Sequence, residues 1–235
     1  FMRSSVAKKF KIPTQLIQKD LRELCSVKIK EDKVFVLPAT KGLIKGLLPI
    51  FREIQKSGLP KNLVIKKLKG KIGFGVFLHP MAKPILKGEP IAPYSGKVVI
   101  CPQNVENDTA YSFTLLADLH LTREEQKRWD PTRAYHPKRL YTVLVDAYKT
   151  GNFTRFINHS EKPNIEAELV RMSKGKGAIP CEIVYVAKKT IRPGEQLLIS
   201  YEGEDKSYWG TLNIKPFPMT PKTFLLNDAS EIVEG

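Results

Sequence analysis

Four apolar runs of six or seven residues, at 141–147, 165–170, 182–187 and 196–201, are set apart by glycine, proline and lysine. Runs that short suit strands and fall below the usual length of a helix, so the C-terminal two-thirds reads as many small strands. Leu63, Ile65, Leu68, Ile72, Val76 and Phe77 continue the pattern around a glycine-rich turn. A further short strand is expected within 90–99, and a strand pair at 110–120. Helical spacing is confined to three places. Leu16, Ile17, Leu21 and Leu24 follow it behind Pro13 and a Thr14 cap, and a short strand is expected next, at 34–37. Residues 42–55 make a second amphipathic stretch, closed by Ser57, Gly58 and Pro60. Thr122 and Glu125 have the spacing of a capping box, which predicts a short surface helix over 122–129. The expected class is a β-rich α+β fold behind a small, mostly helical N-terminal region.

At 235 residues the chain is long enough to bury a sizeable core. Its net charge of +15 is unevenly placed: residues 1–70 hold 17 Lys+Arg against 5 Asp+Glu, and the remainder holds 22 against 19. A surplus of that kind attracts nucleic acid or acidic partners, or simply solvates the surface; composition leaves both open. Cys25, Cys101 and Cys181 are odd in number and widely spaced. They fit neither a disulfide framework nor a CxxC metal knuckle, which implies a reducing compartment and no structural zinc. Arg3, Lys8, Lys9 and Lys11 lead into no apolar signal core, and the apolar run at 42–51 is broken by Lys45 and Pro49. Phe1 ahead of Met2 reads as foreign to the natural chain. A cytoplasmic protein without membrane contact is expected.

The densest chemistry lies at 146–164. Gly151-Asn152-Phe153-Thr154-Arg155-Phe156-Ile157-Asn158-His159-Ser160 gathers two amides, an imidazole, two hydroxyls and a guanidinium, and Glu161-Lys162-Pro163-Asn164 follows. Side chains that bond in two directions need partners if they are buried, so this reads as a polar pocket at a tight turn. Asn152, Asn158 and Asn107 also head N-x-[ST] glycosylation triplets, a reading that the missing signal core disfavours. A purely structural polar loop is the other alternative. Gly70-Lys71-Ile72-Gly73-Phe74-Gly75-Val76-Phe77 lets a backbone approach a ligand closely, with Phe74 available to a flat ring, although glycines at a hairpin are more often simply turns. Gly194-Glu195-Gln196-Leu197-Leu198-Ile199-Ser200-Tyr201 ends an apolar strand on a tyrosine, a place usually taken by a core residue whose hydroxyl is satisfied nearby.

Taken with Lys87-Gly88-Glu89 and Tyr94-Ser95-Gly96, these elements resemble, in order, the motifs of SET-domain protein-lysine N-methyltransferases. The likeness covers about 63–204 and is nearest to the small bacterial, chlamydial-type members that act on histones or histone-like proteins. It implies small β-sheets with a C-terminal pseudoknot, an exception to the rule against threading. It implies three segments: a basic helical region at 1–60, the catalytic SET domain at 61–204, and a flank without zinc at 205–235. S-adenosyl-L-methionine would be the cofactor and S-adenosyl-L-homocysteine the product, with no metal. Phe74, Gly75, Arg155, Phe156, Asn158 and His159 would hold the cofactor, with Tyr111 beside it. Tyr201 would be the catalytic tyrosine and Tyr94 would line the lysine channel.

The chemistry agrees with those roles. A lysine amine, whose reference pKa is about 10.4, must lose its proton before attacking a methyl group. A dry channel beside a cationic sulfur favours that loss, so no dedicated base is expected and alignment carries the rate. Glu161 stands where zinc-bearing relatives often place cysteine, and no cysteine-rich segment follows Tyr201. Tyr208, Trp209, Phe217 and Phe224 would then close the site by packing, with Trp209 either over the cofactor or an ordinary buried ring. Ile199 leaves the degree of methylation open, and Lys71 and His120 read as surface or strand-edge residues.

The implied substrate is a basic, lysine-rich protein, received by an acidic groove near Glu166, Glu168, Glu202, Glu204 and Asp205 or bridged by nucleic acid on residues 1–70. A homodimer and delivery to a host nucleus are both compatible with the sequence. The competing reading is a non-catalytic module that keeps the scaffold and binds nucleic acid or a partner through its basic third. Retention of Asn158, His159 and Tyr201 together weighs against it.

Overall fold

The computed structural model describes residues 37–38, 40–68, 72–103, 111–171, 181–202, 219–221 and 232–233. The expected helix at 14–24 and all but the last residue of the strand at 34–37 lie outside them, as do Lys71, Trp209, Tyr208, Phe217, Phe224, Glu204 and Asp205. The chain divides into two compact units, one formed by residues 1–39, 95–151 and 169–182, the other by 40–94, 152–168 and 183–235. No described helix is long and apolar enough to cross a membrane.

The second unit opens with α1 (Lys41–Ser57), whose start is fixed by Thr40 Oγ1 accepting the Leu43 N–H at 3.1 Å. Gly58, at φ +75°, ends it in a left-handed cap. Leu47 is its buried residue, and a Cβ on Gly46 would lie 2.7 Å from the Pro90 ring, so the missing side chain sets how closely the helix meets β4 (Pro90–Pro93). Strands β2 (Leu63–Lys67) and β3 (Phe74–Leu78) pair antiparallel, Leu63 facing Leu78 and Lys67 facing Phe74. Gly73 makes the turn into β3 at φ +85°, a conformation other residues rarely adopt. Val64, Leu68 and Phe77 build a core with Leu198 and Met219.

In the first unit β5 (Lys97–Pro102) and β6 (Ser112–His120) flank β7 (Leu140–Asp146), both antiparallel to it. The expected strand pair at 110–120 is instead this single strand, with two irregularities in its register. Asp118 takes φ +55° there and accepts a 2.6 Å hydrogen bond from the Gln103 side chain, so the bulge mimics a turn in the sequence. The stretch at 90–99 likewise resolves into two strands, β4 and β5. The capping box forms as expected at the start of α2 (Arg123–Trp129), with Thr122 and Glu125 each bonding the other's backbone. Two residues, β1 (Leu37–Pro38), run parallel to Val170 and Arg171 at the end of β9 (Ile165–Arg171).

Candidate functional site

Residues 152–160 form a tight knot in the second unit. Asn152 caps a 3-10 turn (Phe153–Phe156): its Oδ1 accepts the Thr154 N–H at 3.1 Å, and its Nδ2 donates to the Pro93 carbonyl at 2.9 Å. That amide is spent inside the protein, as is Asn158, whose Nδ2 donates to the Phe74 carbonyl at 2.8 Å. The Asn158 bond fastens the turn to the Gly73–Val76 segment more than 80 residues earlier in the chain.

Asn158 and His159 also make up β8, which runs parallel to β11 (Leu198–Ile199) with Asn158 opposite Leu198 and His159 opposite Ile199. The run at 196–201, expected as one strand ending on Tyr201, keeps only these two residues as a strand, with Gln196 bridging antiparallel to Phe77. Side chains replace the ladder on both sides of them. Asn164 is buried, accepting the Leu198 N–H at 2.8 Å and donating to the Gln196 carbonyl at 2.9 Å. His159 Nδ1 accepts the Tyr201 N–H at 3.0 Å. Leu197 donates to the Val76 carbonyl and Gln196 to the Pro221 carbonyl, while Ser160 Oγ donates to the Met219 carbonyl. The 196–201 run is thus held from the 158–164 turn, from β3 and from residues 219–221.

Tyr201 donates its hydroxyl to the Ile157 carbonyl at 2.7 Å, and its ring lies 5.5 Å from the His159 ring. Burial holds the His159 imidazole below its ordinary pKa, against the opposing pull of Glu202 and Glu161. Its Nδ1 lone pair therefore stays available to the Tyr201 N–H at neutral pH.

Tyr94, at the end of β4, stacks on Tyr185 of β10 (Cys181–Ala187) with ring centroids 5.7 Å apart. The pairing of Tyr185 with Ala92 across β4 and β10 brings the two rings together. Burial pushes the Tyr185 hydroxyl well above its ordinary pKa, and Tyr94 and Tyr201 push the same way, which makes the three phenols electrostatic neighbours. Tyr185 joins Tyr94 and Tyr201 as a candidate that the sequence pattern does not single out. In an apolar run it looks like any core aromatic, and its strand register alone reveals it.

Phe74 leaves 38% of its surface exposed at the turn into β3, and its ring meets Phe156 edge-on at 5.8 Å. The Arg155 guanidinium lies 5.0 Å over the Phe156 ring. Gly75 is buried, and a Cβ there would fall 2.5 Å from Gln196 Nε2. Phe74, Gly75, Tyr94, Arg155, Phe156, Asn158, His159 and Tyr201 thus belong to one unit. Tyr111 belongs to the other, where its ring faces Tyr148 at 6.1 Å and its carbonyl accepts the Ala147 N–H. Of the acidic residues, Glu166 and Glu168 occupy alternate positions of β9, and burial, then Glu166, raise the Glu168 carboxyl above its ordinary pKa. Among the described residues no group of three or more His, Cys, Asp or Glu side chains is arranged to hold a metal ion.

The family model described as "SET domain" matches residues 73–202. The chain is 26% identical over 163 residues to SET domain-containing protein 4 of Saccharomyces cerevisiae, covering 67% of this chain and 26% of that protein. It is 28% identical over 151 residues to histone-lysine N-methyltransferase Su(var)3-9 of Drosophila pseudoobscura pseudoobscura, covering 63% of this chain and 21% of that one. The chain thus spans about a quarter of the length of these relatives. Among solved structures it is similar to KRYPTONITE in complex with mCHH DNA, H3(1-15) peptide and SAH, at 25% identity and a TM-score of 0.40, over 62% of this chain and 24% of that one.

Proposed function

The chain belongs to the SET-domain family, and we propose that it is an S-adenosylmethionine-dependent methyltransferase acting on lysine side chains of a basic protein. The observation that carries the reading is the Asn158–His159 pair. One side chain grips the Phe74 carbonyl and the other receives the Tyr201 N–H, so adjacent residues join three motifs far apart in sequence.

The residues present suit the cofactor. Phe74 and Phe156 offer apolar ring surface to an adenine, and Arg155 adds a cation that suits a carboxylate. Asn158 and His159 fix the backbone between these groups. When bound, the cofactor supplies an activated methyl group on a cationic sulfur.

The chain's own residues would prepare the amine. Tyr201 commits its hydroxyl proton to the Ile157 carbonyl, so toward an incoming amine its oxygen is an acceptor. Tyr185 stays protonated, so no phenolate forms there to hold an ammonium ion. A channel bounded by neutral phenols favours the uncharged amine and orients its lone pair, which is the alignment that in-line transfer needs. Glu166 and Glu168 repel one another on β9 and are relieved by a cation, which supports docking of a basic segment near them. The relatives named histone-lysine N-methyltransferases make histone-like proteins the first substrates to try.

The test is incubation with labelled S-adenosylmethionine and a panel of basic proteins, comparing wild type with Tyr201→Phe and His159→Ala. Label should enter lysine in wild type and fall about 100-fold in Tyr201→Phe, the scale of a lost alignment. Cofactor binding without transfer to any protein would favour a binding module, and failure to bind the cofactor would remove the proposal.

A further inference from the structure

The segment from α2 to the start of β7 is unusually cationic and is built around a single buried acid. Residues 127–139 hold Lys127, Arg128, Arg133, Lys138 and Arg139 against one carboxylate, Asp130. Asp130 is only 5% exposed, and its Oδ1 receives Arg133 Nη1 at 2.9 Å while its Oδ2 lies 3.7 Å from Arg139 Nη1. Tyr141 donates its hydroxyl to the same Oδ2 at 3.1 Å. Arg139 is further fixed by donating Nη1 to the Ala134 carbonyl at 2.9 Å. Asp130 therefore ties both guanidinium groups to one buried carboxylate, and the fold holds them in place.

Both arginines line a cleft of about 430 Å³, together with Pro102, Gln103, His136, Lys138 and Leu140. Among the described lining residues there is no carboxylate, and Lys138 and His136 are exposed. Fixed guanidinium groups beside a mobile ammonium suit a phosphate, because the planar forks are oriented before the anion arrives. The surroundings suit more than one phosphate. Tyr135 is 45% exposed with the Arg123 guanidinium 6.0 Å over its ring, and Arg128 lies 4.9 Å over Trp129. Cations interleaved with accessible rings are what a strand of bases and phosphodiesters engages, by ion pairing along the backbone and stacking on the rings.

We propose that this cleft binds the phosphodiester backbone of a single-stranded nucleic acid, with Arg133, Lys138 and Arg139 on the phosphates and Tyr135 under a base. The site uses none of the residues assigned to methyl transfer.

The experiment is fluorescence anisotropy with the full chain, a labelled 20-nucleotide strand and a labelled 20-base-pair duplex, across a salt series. Lys138→Glu should weaken strand binding about fivefold to tenfold at low salt and reduce the log–log salt slope by about 1. Arg139→Lys, which keeps the charge but loses the fork, should weaken binding about threefold to tenfold. Tyr135→Ala should weaken the strand about tenfold, the scale of one lost stacking contact, and leave the duplex unchanged. Lys83→Glu, exposed in the other unit, makes the same change in net charge and should have less than a twofold effect. Equal losses in Lys138→Glu and Lys83→Glu would overturn the site, as would unaltered binding in Lys138→Glu, which is what attachment through residues 1–70 alone produces. Competition by polyglutamate as strong as by unlabelled strand, or displacement of the strand by 20 mM inorganic phosphate at constant ionic strength, would also overturn it in favour of an acidic protein or a free phosphate.

Discussion

His159 accepts the backbone N–H of Tyr201 through Nδ1 at 3.0 Å, in a place where a β-ladder would supply a carbonyl. A carbonyl keeps its lone pairs at any pH, whereas an imidazole loses this one on protonation. Burial lowers the folded-state pKa of His159 below the ordinary value of about 6.5. The unfolded chain therefore takes up this proton first as pH falls, and stability is drained below about 6.5 until the folded form protonates too. The melting temperature should be level from pH 8 to 7 and decline from 6.5 toward 5. In His159→Asn the decline over that window should be shallower, as differential scanning calorimetry of both proteins would reveal.

Asn164 satisfies two backbone groups at once, the Leu198 N–H and the Gln196 carbonyl. Asn164→Ala leaves both buried without a partner, and each orphaned group costs about 1–3 kcal/mol. The expected loss is about 2–6 kcal/mol in urea unfolding. Asn158→Ala, whose amide is the more exposed, should cost less stability than that but impair cofactor affinity more. A reversed order in paired urea and isothermal-titration measurements would contradict these placements.

Much of this arrangement was legible from the chain and some was not, for identifiable reasons. The Asn158-His159 pair declares itself because polar side chains that bond in two directions need a polar pocket, whereas the glycines at 73 and 75 and Tyr201 stand out only through the motif resemblance. Tyr185 does not, since its neighbours Val184 and Val186 make it look like one more core residue until β4 and β10 pair. The bulge at Asp118 reads as a turn because a residue at positive φ is punctuation in either setting. The run at 196–201 looks like one strand because its apolar period is intact, yet side chains of Asn164 and His159 take over the hydrogen bonds at its ends. Long-range register and side-chain substitution for the ladder are properties of the assembled fold, which local pattern does not encode.

Gly75 and Gln196 are coupled by space. A methyl group at residue 75 would meet Gln196 Nε2 at 2.5 Å, Leu68 Cδ1 at 3.1 Å and Phe77 Cε2 at 3.2 Å. Gln196 is fully buried and cannot swing into solvent. Gly75→Ala should therefore destabilise by about 1–3 kcal/mol, the usual range for overpacking. The second substitution Gln196→Ala removes the closest atom, so the double variant should be less destabilised than the sum of the singles. Additive losses in urea unfolding would show that the two positions do not share the space.

The pH dependence of turnover separates the lysine from the phenols around it. The amine must be neutral to react, so the rate should climb with pH toward the lysine range. Tyr185 does not interrupt that rise, because burial and its two tyrosine neighbours place its ionisation well above 10. If the proposed transfer takes place, a Tyr185→Phe variant should then keep the shape of the profile while lowering the rate at every pH, since a hydroxyl is lost beside Tyr94 but no ionisation is. Cofactor affinity should stay within about twofold, because the ring of Tyr185 is kept in Tyr185→Phe and still packs on Tyr94. An alkaline fall in wild type that disappears in Tyr185→Phe would mean that this phenol ionises in the working range. The neutral channel on which amine deprotonation depends would then be the wrong description of the site.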